Sequence, residues 1–236
     1  MNRAFIFDVF GTLVDWREGV ATIVGSAFAE HGVTIDAYTF SDAWRARYDP
    51  AMERIRAQGR AYVALDVLHR ENLDATLAEF GIENIFGQDE REALNQSWEK
   101  LPAWTDVHEG LDRLRLLGFV APCSNASVAL SLRLARFAKF NWDSIVGAEI
   151  AHNYKPAREV YISSCKTLGF EPKNVVMVAA HNDDLIAARS AGLQTAFIAR
   201  PREYGAAQTV DLTPTSNWTY VAKDLIHLAE QIEILG

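Results

Sequence analysis

The feature that most constrains this chain is a short apolar segment, Ala4 to Phe7, that ends directly at an aspartate. Consecutive apolar residues followed by a turn are typical of a buried strand, and Gly11 and Thr12 supply the turn. In open α/β sheets, ligands bind outside the carboxyl ends of the strands. The sequence therefore predicts that Asp8 lies at the ligand-binding edge of a central strand.

The segment after this strand shows only helical periodicity. Apolar residues recur at helical spacing through the first helix, which is expected to end near His31. A second helix is predicted to begin at Ser41 as its N-cap. The second, third and fourth helices are predicted over residues 41–57, 62–79 and 89–99. Because four consecutive helices do not fit an alternating α/β domain, we predict that residues 15–100 form an inserted helical cap domain.

From about residue 101 the pattern changes to alternation of strands and helices. Strands are predicted at residues 119–123, 144–148, 174–180 and 195–199, and helices at residues 107–117, 128–139, 157–168, 184–191 and 220–235. Such alternation indicates a parallel sheet with crossover helices. The predicted fold class is α/β: a Rossmann-like parallel sheet core of residues 1–14 and 101–236, with the α-helical cap domain inserted.

Charge and composition narrow the classes of partner. The chain has 236 residues and a formal net charge of −8, which argues against nucleic acid and against an anionic membrane surface. No apolar run of about eighteen residues is present, so no membrane span is expected. The first strand leaves no room for a signal peptide. Cys123 and Cys165 lie in predicted core elements, which favours a reducing cytoplasm over a disulfide framework.

Polar residues follow several of the predicted strands. Asp8 follows the first strand, and Ser124 and Asn125 follow the next. The segment 181–184 follows a later strand, and Lys155 precedes the helix before it. Because the carboxyl ends of parallel strands meet at one edge, these side chains should converge. Each has an ordinary explanation when taken singly, such as a helix cap or a solvated lysine, but their combined order favours a catalytic site.

These motifs resemble those of the haloacid dehalogenase superfamily along nearly the whole chain. They are Asp8-Val-Phe-Gly-Thr-Leu-Val-Asp15, Cys123-Ser-Asn125, Tyr154-Lys-Pro156 with Tyr161 six residues after the lysine, and Asp183-Asp184. In that superfamily the first aspartate is a nucleophile that forms a covalent intermediate, which implies this role for Asp8. The resemblance is greatest to the type II 2-haloacid dehalogenases, which usually act on S-2-haloacids.

Phe10 departs from the pattern of the superfamily's phosphatases. Those enzymes carry a second aspartate, the general acid/base, two residues after the nucleophile, whereas Phe10 can neither give nor take a proton. They also usually have a Gly-Asp pair that helps to hold Mg²⁺, where this chain has Ala179-Ala180. We therefore expect an enzyme without a cofactor. Asp8 with Asp183 or Asp184 could still supply two of the oxygen ligands that Mg²⁺ requires.

The resemblance implies a mechanism in which Asp8 displaces halide from a short 2-haloalkanoate. Halide needs no proton to leave, and it is expected to depart toward Arg45 and Asn125, with Phe10 keeping the site apolar. Arg45 is the candidate halide acceptor because an arginine early in the second cap helix has this role in the dehalogenases. The alternative for Arg45 is a surface arginine, since other arginines lie nearby at positions Arg47, Arg54, Arg56 and Arg60.

The resemblance assigns the remaining catalytic roles. Lys155 is expected to keep Asp8 ionised, because an opposite charge within a few ångströms lowers the pKa of a carboxyl by ~1–3 units. Thr12 and Ser124 are expected to bind the substrate carboxylate. Asp184 is expected to orient Lys155 and to assist the water that hydrolyses the ester.

Three residues carry alternatives that the sequence leaves open. Tyr161 is either a hydrogen-bond partner in the site or a helix residue that packs on the sheet. His181 falls where asparagine is common in the dehalogenases; it either assists ester hydrolysis or only positions a neighbour, and we favour the second. Asp183 stands where an aromatic residue often lines the halide pocket, and we expect it instead to cap the following helix.

Three functional hypotheses follow. The first is a metal-independent 2-haloacid dehalogenase that forms 2-hydroxy acids through an ester on Asp8, with a small anionic substrate as its partner. The second is a Mg²⁺-dependent phosphatase-type hydrolase of the same superfamily, and the third is a non-catalytic member. Phe10 argues against the second, and the complete set of polar motif residues argues against the third. Related enzymes often form dimers, so a homodimer stays open.

Overall fold

The computed structural model of the protein describes residues 2–235 and confirms the predicted α/β class. Within these residues, six parallel strands form one sheet in the order β3-β2-β1-β4-β5-β6. The strands are β1 Ala4–Phe7, β2 Phe119–Ser124, β3 Val146–Gly147, β4 Val175–Ala179, β5 Gln194–Ile198 and β6 Tyr220–Ala222. In this Rossmann order the ligand crevice opens where the strand order reverses beside β1.

Eleven α-helices flank the sheet or follow β1 within the described part of the chain. Five of them lie between β1 and β2 as one inserted run: α1 Trp16–Glu30, α2 Ala37–Ala46, α3 Tyr48–Arg56, α4 Leu65–Glu79 and α5 Gln88–Asn95. The others are α6 Val107–Leu117, α7 Val128–Ala138, α8 Ala148–Ala151, α9 Arg158–Leu168, α10 Asn182–Ser190 and α11 Leu225–Leu235. None of these helices meets the length and hydrophobicity that a membrane span requires.

The second predicted helix was wrong as a single element, because it is two helices, α2 and α3. Pro50 lacks an amide hydrogen and is tolerated in the first turn of a new helix but not inside a continuing one. The N-cap of α2 is Asp36, whose carboxylate accepts a hydrogen bond from the Thr39 amide at 2.8 Å. Ser41 lies inside α2, where its hydroxyl donates to the Ala37 carbonyl at 2.7 Å.

The last predicted helix was also wrong in its first part. Tyr220–Ala222 forms the edge strand β6, which pairs with β5, and α11 begins only at Leu225. Val221 is exposed while Ala222 is buried, as expected for an edge strand. Over three residues, the sequence pattern of such a strand cannot be distinguished from that of one helical turn. The fourth helix, predicted over residues 89–99, is shorter in the structure. It is α5, which ends at Asn95, and a 3₁₀ turn over Gln96–Glu99 follows it.

Strand β1 is buried on both faces, as parallel strands between two helical layers are. Phe5 and Phe7 belong to one hydrophobic cluster, and Ala4 and Ile6 belong to the cluster on the opposite face. Burying each phenylalanine contributes about 1.5–3 kcal/mol. The first cluster continues through Phe10 into the inserted helices, so the end of β1 rests on a packed apolar base.

Candidate active site

The loop after β1 fixes Asp8 by hydrogen bonds on both sides. The Asp8 amide donates to the Val178 carbonyl at 2.9 Å, which ties the loop to β4. The Thr12 hydroxyl donates to Asp8 Oδ2 at 2.7 Å and accepts from the Ala180 amide at 2.9 Å. Thr12 is fully buried, so the structure places it behind Asp8 rather than in the cavity where a substrate would lie.

Lys155 lies between the two carboxylates of Asp8 and Asp184. Its Nζ is 2.8 Å from Asp8 Oδ1 and 2.5 Å from Asp184 Oδ2. Tyr161 donates to Asp184 Oδ1 at 2.5 Å, so of its two alternatives the structure shows the hydrogen-bond partner. The three charged side chains are each at most 11% exposed. The arrangement is a buried, hydrogen-bonded charge cluster at the crevice.

Neighbouring charges and burial shift the pKa values of Asp8 and Asp184 in opposite directions. Burial alone would raise the pKa of Asp8, but the charge of Lys155 and the hydrogen bond from His181 hold it well below its ordinary value. Burial raises the pKa of Asp184, with the charge of Asp8 adding to the rise, and Lys155 only partly offsets this. Burial would lower the pKa of Lys155, but the two carboxylates raise it. Asp8 is therefore ionised at neutral pH, and Asp184 is the more basic of the two carboxylates.

His181 bridges Asp8 to a buried glutamate that sequence reasoning missed. Its Nδ1 is 3.2 Å from Asp8 Oδ2, and its Nε2 is 2.9 Å from Glu203 Oε2. Glu203 is 1% exposed and accepts a hydrogen bond from Trp16 Nε1 at 3.0 Å. Burial lowers the pKa of His181, but the two carboxylates raise it well above its ordinary value. A single glutamate in the loop after β5 forms no sequence pattern, so no motif marked Glu203.

Gly11 makes room for this glutamate behind the loop that carries Asp8. A β-carbon at Gly11 would lie 2.1 Å from Glu203 Oε1, and the residue has a φ of +86°. Both observations require glycine at this position, because side chains rarely adopt such a φ. The turn at Gly11 and Thr12, which the sequence places at the ligand-binding edge of the sheet, thus also leaves the space that the Glu203 side chain occupies.

A cavity of about 710 Å³ opens over Asp8, between the inserted helices and the sheet edge. Arg45 lines it with its guanidinium 3.9 Å from the centre of the Tyr48 ring and 5.4 Å from that of Trp16. Within residues 2–235, Arg45 pairs with no carboxylate, and its Nε has no hydrogen-bond partner. Three of the neighbouring arginines do form ion pairs, namely Arg47, Arg56 and Arg60. Arg45 is therefore a cation available to an anion in the cavity.

Asn125 and Ser124 lie at the end of β2 but in different environments. Asn125 lines the cavity, and its Oδ1 accepts from the Lys155 amide at 2.8 Å, which positions the lysine. Ser124 is 1% exposed, and its hydroxyl accepts from the Ala126 amide at 3.1 Å. The structure thus places Ser124 in the turn before α7, away from the cavity lining, which differs from its expected contact with the substrate carboxylate.

Phe10 and Asp183 also line the cavity. Phe10 is 3% exposed and packs edge-on against Trp98 at a ring distance of 5.6 Å, so it presents an apolar surface beside Asp8. The expected capping role of Asp183 was wrong: the N-cap of α10 is His181, and Asp183 lies in the first helical turn. Its carboxylate still lies at the positive end of the helix dipole, where a negative charge is favourable.

The donor set does not fit a Mg²⁺ ion of the phosphatase type. Mg²⁺ needs near-octahedral oxygen coordination, whereas the Lys155 ammonium occupies the position between the Asp8 and Asp184 carboxylates. Phe10 supplies no oxygen, and the end of β4 carries Ala179-Ala180. The cation that faces Asp8 is therefore a side chain of the protein.

Comparison with known proteins identifies the family. A family model described as haloacid dehalogenase-like hydrolase matches residues 2–192. The chain belongs to this family. Among solved structures, it is similar to the defluorinating L-2-haloacid dehalogenase Rha0230, with a TM-score of 0.96 and 44% identity, covering 98% of this chain and 95% of that chain.

Curated relatives of this hydrolase family include both a dehalogenase and a phosphatase. The chain is 30% identical over 208 residues to (S)-2-haloacid dehalogenase 4A of Burkholderia cepacia, covering 86% of each chain. It is 31% identical over 226 residues to phosphoglycolate phosphatase of Chromobacterium violaceum, covering 91% of this chain and 92% of the relative. Overall identity does not separate these two chemistries, so the residues of the site must.

Proposed function

We propose that this protein is a 2-haloacid dehalogenase that converts short 2-haloalkanoic acids to 2-hydroxy acids through a covalent ester on Asp8. One observation carries the proposal: Phe10, which can neither give nor take a proton, stands two residues after Asp8 and lines the cavity. The superfamily's phosphatases carry a general acid/base at that position, whereas halide displacement needs only an ionised carboxylate and a receptor for the departing anion. The similarity to dehalogenases supports the same choice.

In the first step, Asp8 attacks the halogen-bearing carbon in line with the carbon–halogen bond. The Asp8–carbon bond forms as the halide leaves with the bonding electrons, toward Arg45 and Asn125. Arg45 receives it as an unpaired guanidinium flanked by aromatic rings. Phe10 keeps this side of Asp8 free of water, which makes the carboxylate more reactive.

In the second step, water attacks the carbonyl carbon of the ester. Asp184 accepts a proton from that water, because its raised pKa makes it the stronger base of the two carboxylates. Cleavage of the ester releases the 2-hydroxy acid with inverted configuration and restores Asp8. One water is consumed, and one halide and one proton are released in each turnover.

The proposal also includes the cellular compartment and the oligomeric state. The two cysteines, Cys123 and Cys165, are buried and free, which fits a protein that acts in the reducing cytoplasm. Leu116 on α6 and Leu132 on α7 are exposed apolar side chains, and the proposal includes a homodimer that would cover such side chains. Sedimentation analysis of the purified protein tests the dimer, and a monomer at micromolar concentration would contradict it.

The activity is tested by halide release from S- and R-2-chloropropionate, 2-bromopropionate and fluoroacetate with EDTA present. Asp8→Asn is the blank, and Asp112→Asn on the exposed face of α6 is the matched control. We expect release in EDTA from the wild type and the control, and none from Asp8→Asn. Phosphate release from phosphorylated metabolites that requires added Mg²⁺, with no halide release, would contradict the proposal.

A further inference from the structure

His181 and Glu203 are a charged pair beside Asp8 to which the two proposed steps give no role; Glu203 is buried and His181 is partly buried. His181 and Glu203 form a chain that starts at Asp8 Oδ2 and ends at the Trp16 indole. Gly11 is required to admit the glutamate. Burying the charge of Glu203 costs desolvation free energy unless a well-placed partner offsets it, and His181 is that partner.

We propose that His181 is an oxyanion donor for ester hydrolysis, and that Glu203 holds it in its protonated, donating form. The inference rests on the proposed function, because it concerns the second step of that reaction. His181 would touch the reacting carboxyl group directly. Glu203 would act through His181 as a positioning residue.

The two oxygens of Asp8 differ in the number of hydrogen-bond donors that face them. Among the residues that the structure describes, Oδ2 faces two donors, the Thr12 hydroxyl at 2.7 Å and His181 Nδ1 at 3.2 Å, whereas Oδ1 faces one, Lys155 at 2.8 Å. The oxygen with fewer donors keeps a lone pair available and is the nucleophile. Oδ2 then becomes the carbonyl oxygen of the ester, and it already has two donors in place.

Negative charge develops on the carbonyl oxygen of the ester during hydrolysis. As water adds to the ester carbon, the electron pair of the carbonyl moves onto Oδ2, and Thr12 and His181 stabilise the resulting oxyanion. Donors that are preorganised at the developing charge are worth far more than donors that must reorient. A cationic donor forms roughly twice as strong a hydrogen bond as a neutral one.

The protons balance without any further group. Asp184 accepts one proton of the attacking water, and the electron pair on Oδ2 returns as the bond between carbon and Oδ1 breaks. The departing alkoxide takes a proton from Lys155, which lies 2.8 Å from Oδ1. Lys155 recovers a proton from Asp184 at 2.5 Å. Asp8 emerges protonated and releases that proton to solvent, while His181 keeps its own throughout.

A glutamate beside His181 is needed to keep the histidine protonated once the ester has formed. In the free enzyme both Asp8 and Glu203 raise the pKa of His181, but esterification removes the charge of Asp8. A largely desolvated histidine without an anion beside it favours its neutral form. Glu203 is the charged group left facing the ring, with the neutral phenol of Tyr204 beside it, and Asp183 and Asp184 follow His181 on α10. Glu203 thus keeps the donor charged when the ester is present.

The test separates the two steps in rapid-mixing experiments with S-2-chloropropionate. His181→Asn removes the charge, and Glu203→Gln keeps the shape of the side chain and so guards against misfolding of the first variant. His152→Asn is the matched control, because His152 is exposed and asparagine tolerates its φ of +51°. Halide release is followed over time, and the Asp8 ester is measured by intact mass.

We expect both site variants to give a burst of halide equal to the enzyme concentration, after which turnover slows. In His181→Asn, ester hydrolysis should slow by about 10²-fold, and the ester should accumulate. In Glu203→Gln, hydrolysis should fall as pH rises through the lowered pKa of His181, at a pH where the wild type is still active. The control should match the wild type.

Equal slowing of both steps without accumulated ester would overturn the inference and reduce His181 to a positioning residue for Asp8. Unchanged kinetics in both site variants would overturn it as well. Failure of the proposed function looks different, because the wild type itself would then release no halide and form no ester.

Discussion

Replacing Lys155 with methionine tests the charge cluster at the base of the site. The substitution keeps the length of the side chain but removes the cation between Asp8 and Asp184. His181 still faces Asp8, so Asp184 is the carboxylate left with only a hydrogen bond, from Tyr161. Removing one partner of a buried ion pair typically costs about 3–5 kcal/mol. We expect a loss of this size in the free energy of unfolding at pH 8.

The loss should depend on pH in a defined direction. Without Lys155 the pKa of Asp184, already raised in the folded protein, rises further above its unfolded value. The folded state then binds more protons than the unfolded state, so stability falls as pH rises through the folded pKa. The destabilisation should therefore be smaller at pH 5 than at pH 8, by up to about 1.4 kcal/mol for each unit of pKa shift.

Urea unfolding at both pH values, followed by tryptophan fluorescence, measures this difference. Lys166→Met on the exposed face of α9 is the matched control and should change stability by less than about 0.5 kcal/mol. A loss in Lys155→Met that is equal at the two pH values, or no greater than in the control, would refute the account of the charge cluster.

Two further variants test the cavity and the loop that supports it. Arg45→Ala should lower kcat/KM for halide release by about 10²–10³-fold with little change in melting temperature; equal loss of both would mean a structural role. Asp106→Asn breaks the buried bidentate pair with Arg200, whose Nε also donates to the Thr12 carbonyl. It should cost about 3–5 kcal/mol in urea unfolding, and the wild-type contribution should be lost as pH falls, because Arg200 outweighs burial and lowers the pKa of Asp106.

The parallel core was predictable because its elements carry strong local patterns. β1 and β4 are continuous apolar runs, and α6 was predicted with the bounds that the structure has. Short elements were not predictable in the same way. β6 is three residues long and gains its identity from pairing with β5, and the break between α2 and α3 depends on one proline whose effect is local.

The site was predictable where the residues lie in motifs at strand ends. Asp8, Lys155 and Asp184 converge as the sequence order suggested. Glu203 was not predictable, because its position depends on how the loop after β5 folds back beneath Gly11. The contact between the Thr12 hydroxyl and Asp8 was not predictable either, because it depends on rotamer and burial, which a sequence does not specify.

The covalent step is the central claim, and isotope labelling in a single turnover tests it most directly. Enzyme in excess over S-2-chloropropionate reacts in water enriched in oxygen-18, and the product and the peptide that contains Asp8 are analysed by mass spectrometry. If Asp8 forms the ester and water attacks its carbonyl carbon, the new hydroxyl of the product is unlabelled and Asp8 carries the label. Label in the product hydroxyl after the first turnover would show that water attacks the substrate directly, and would contradict the account.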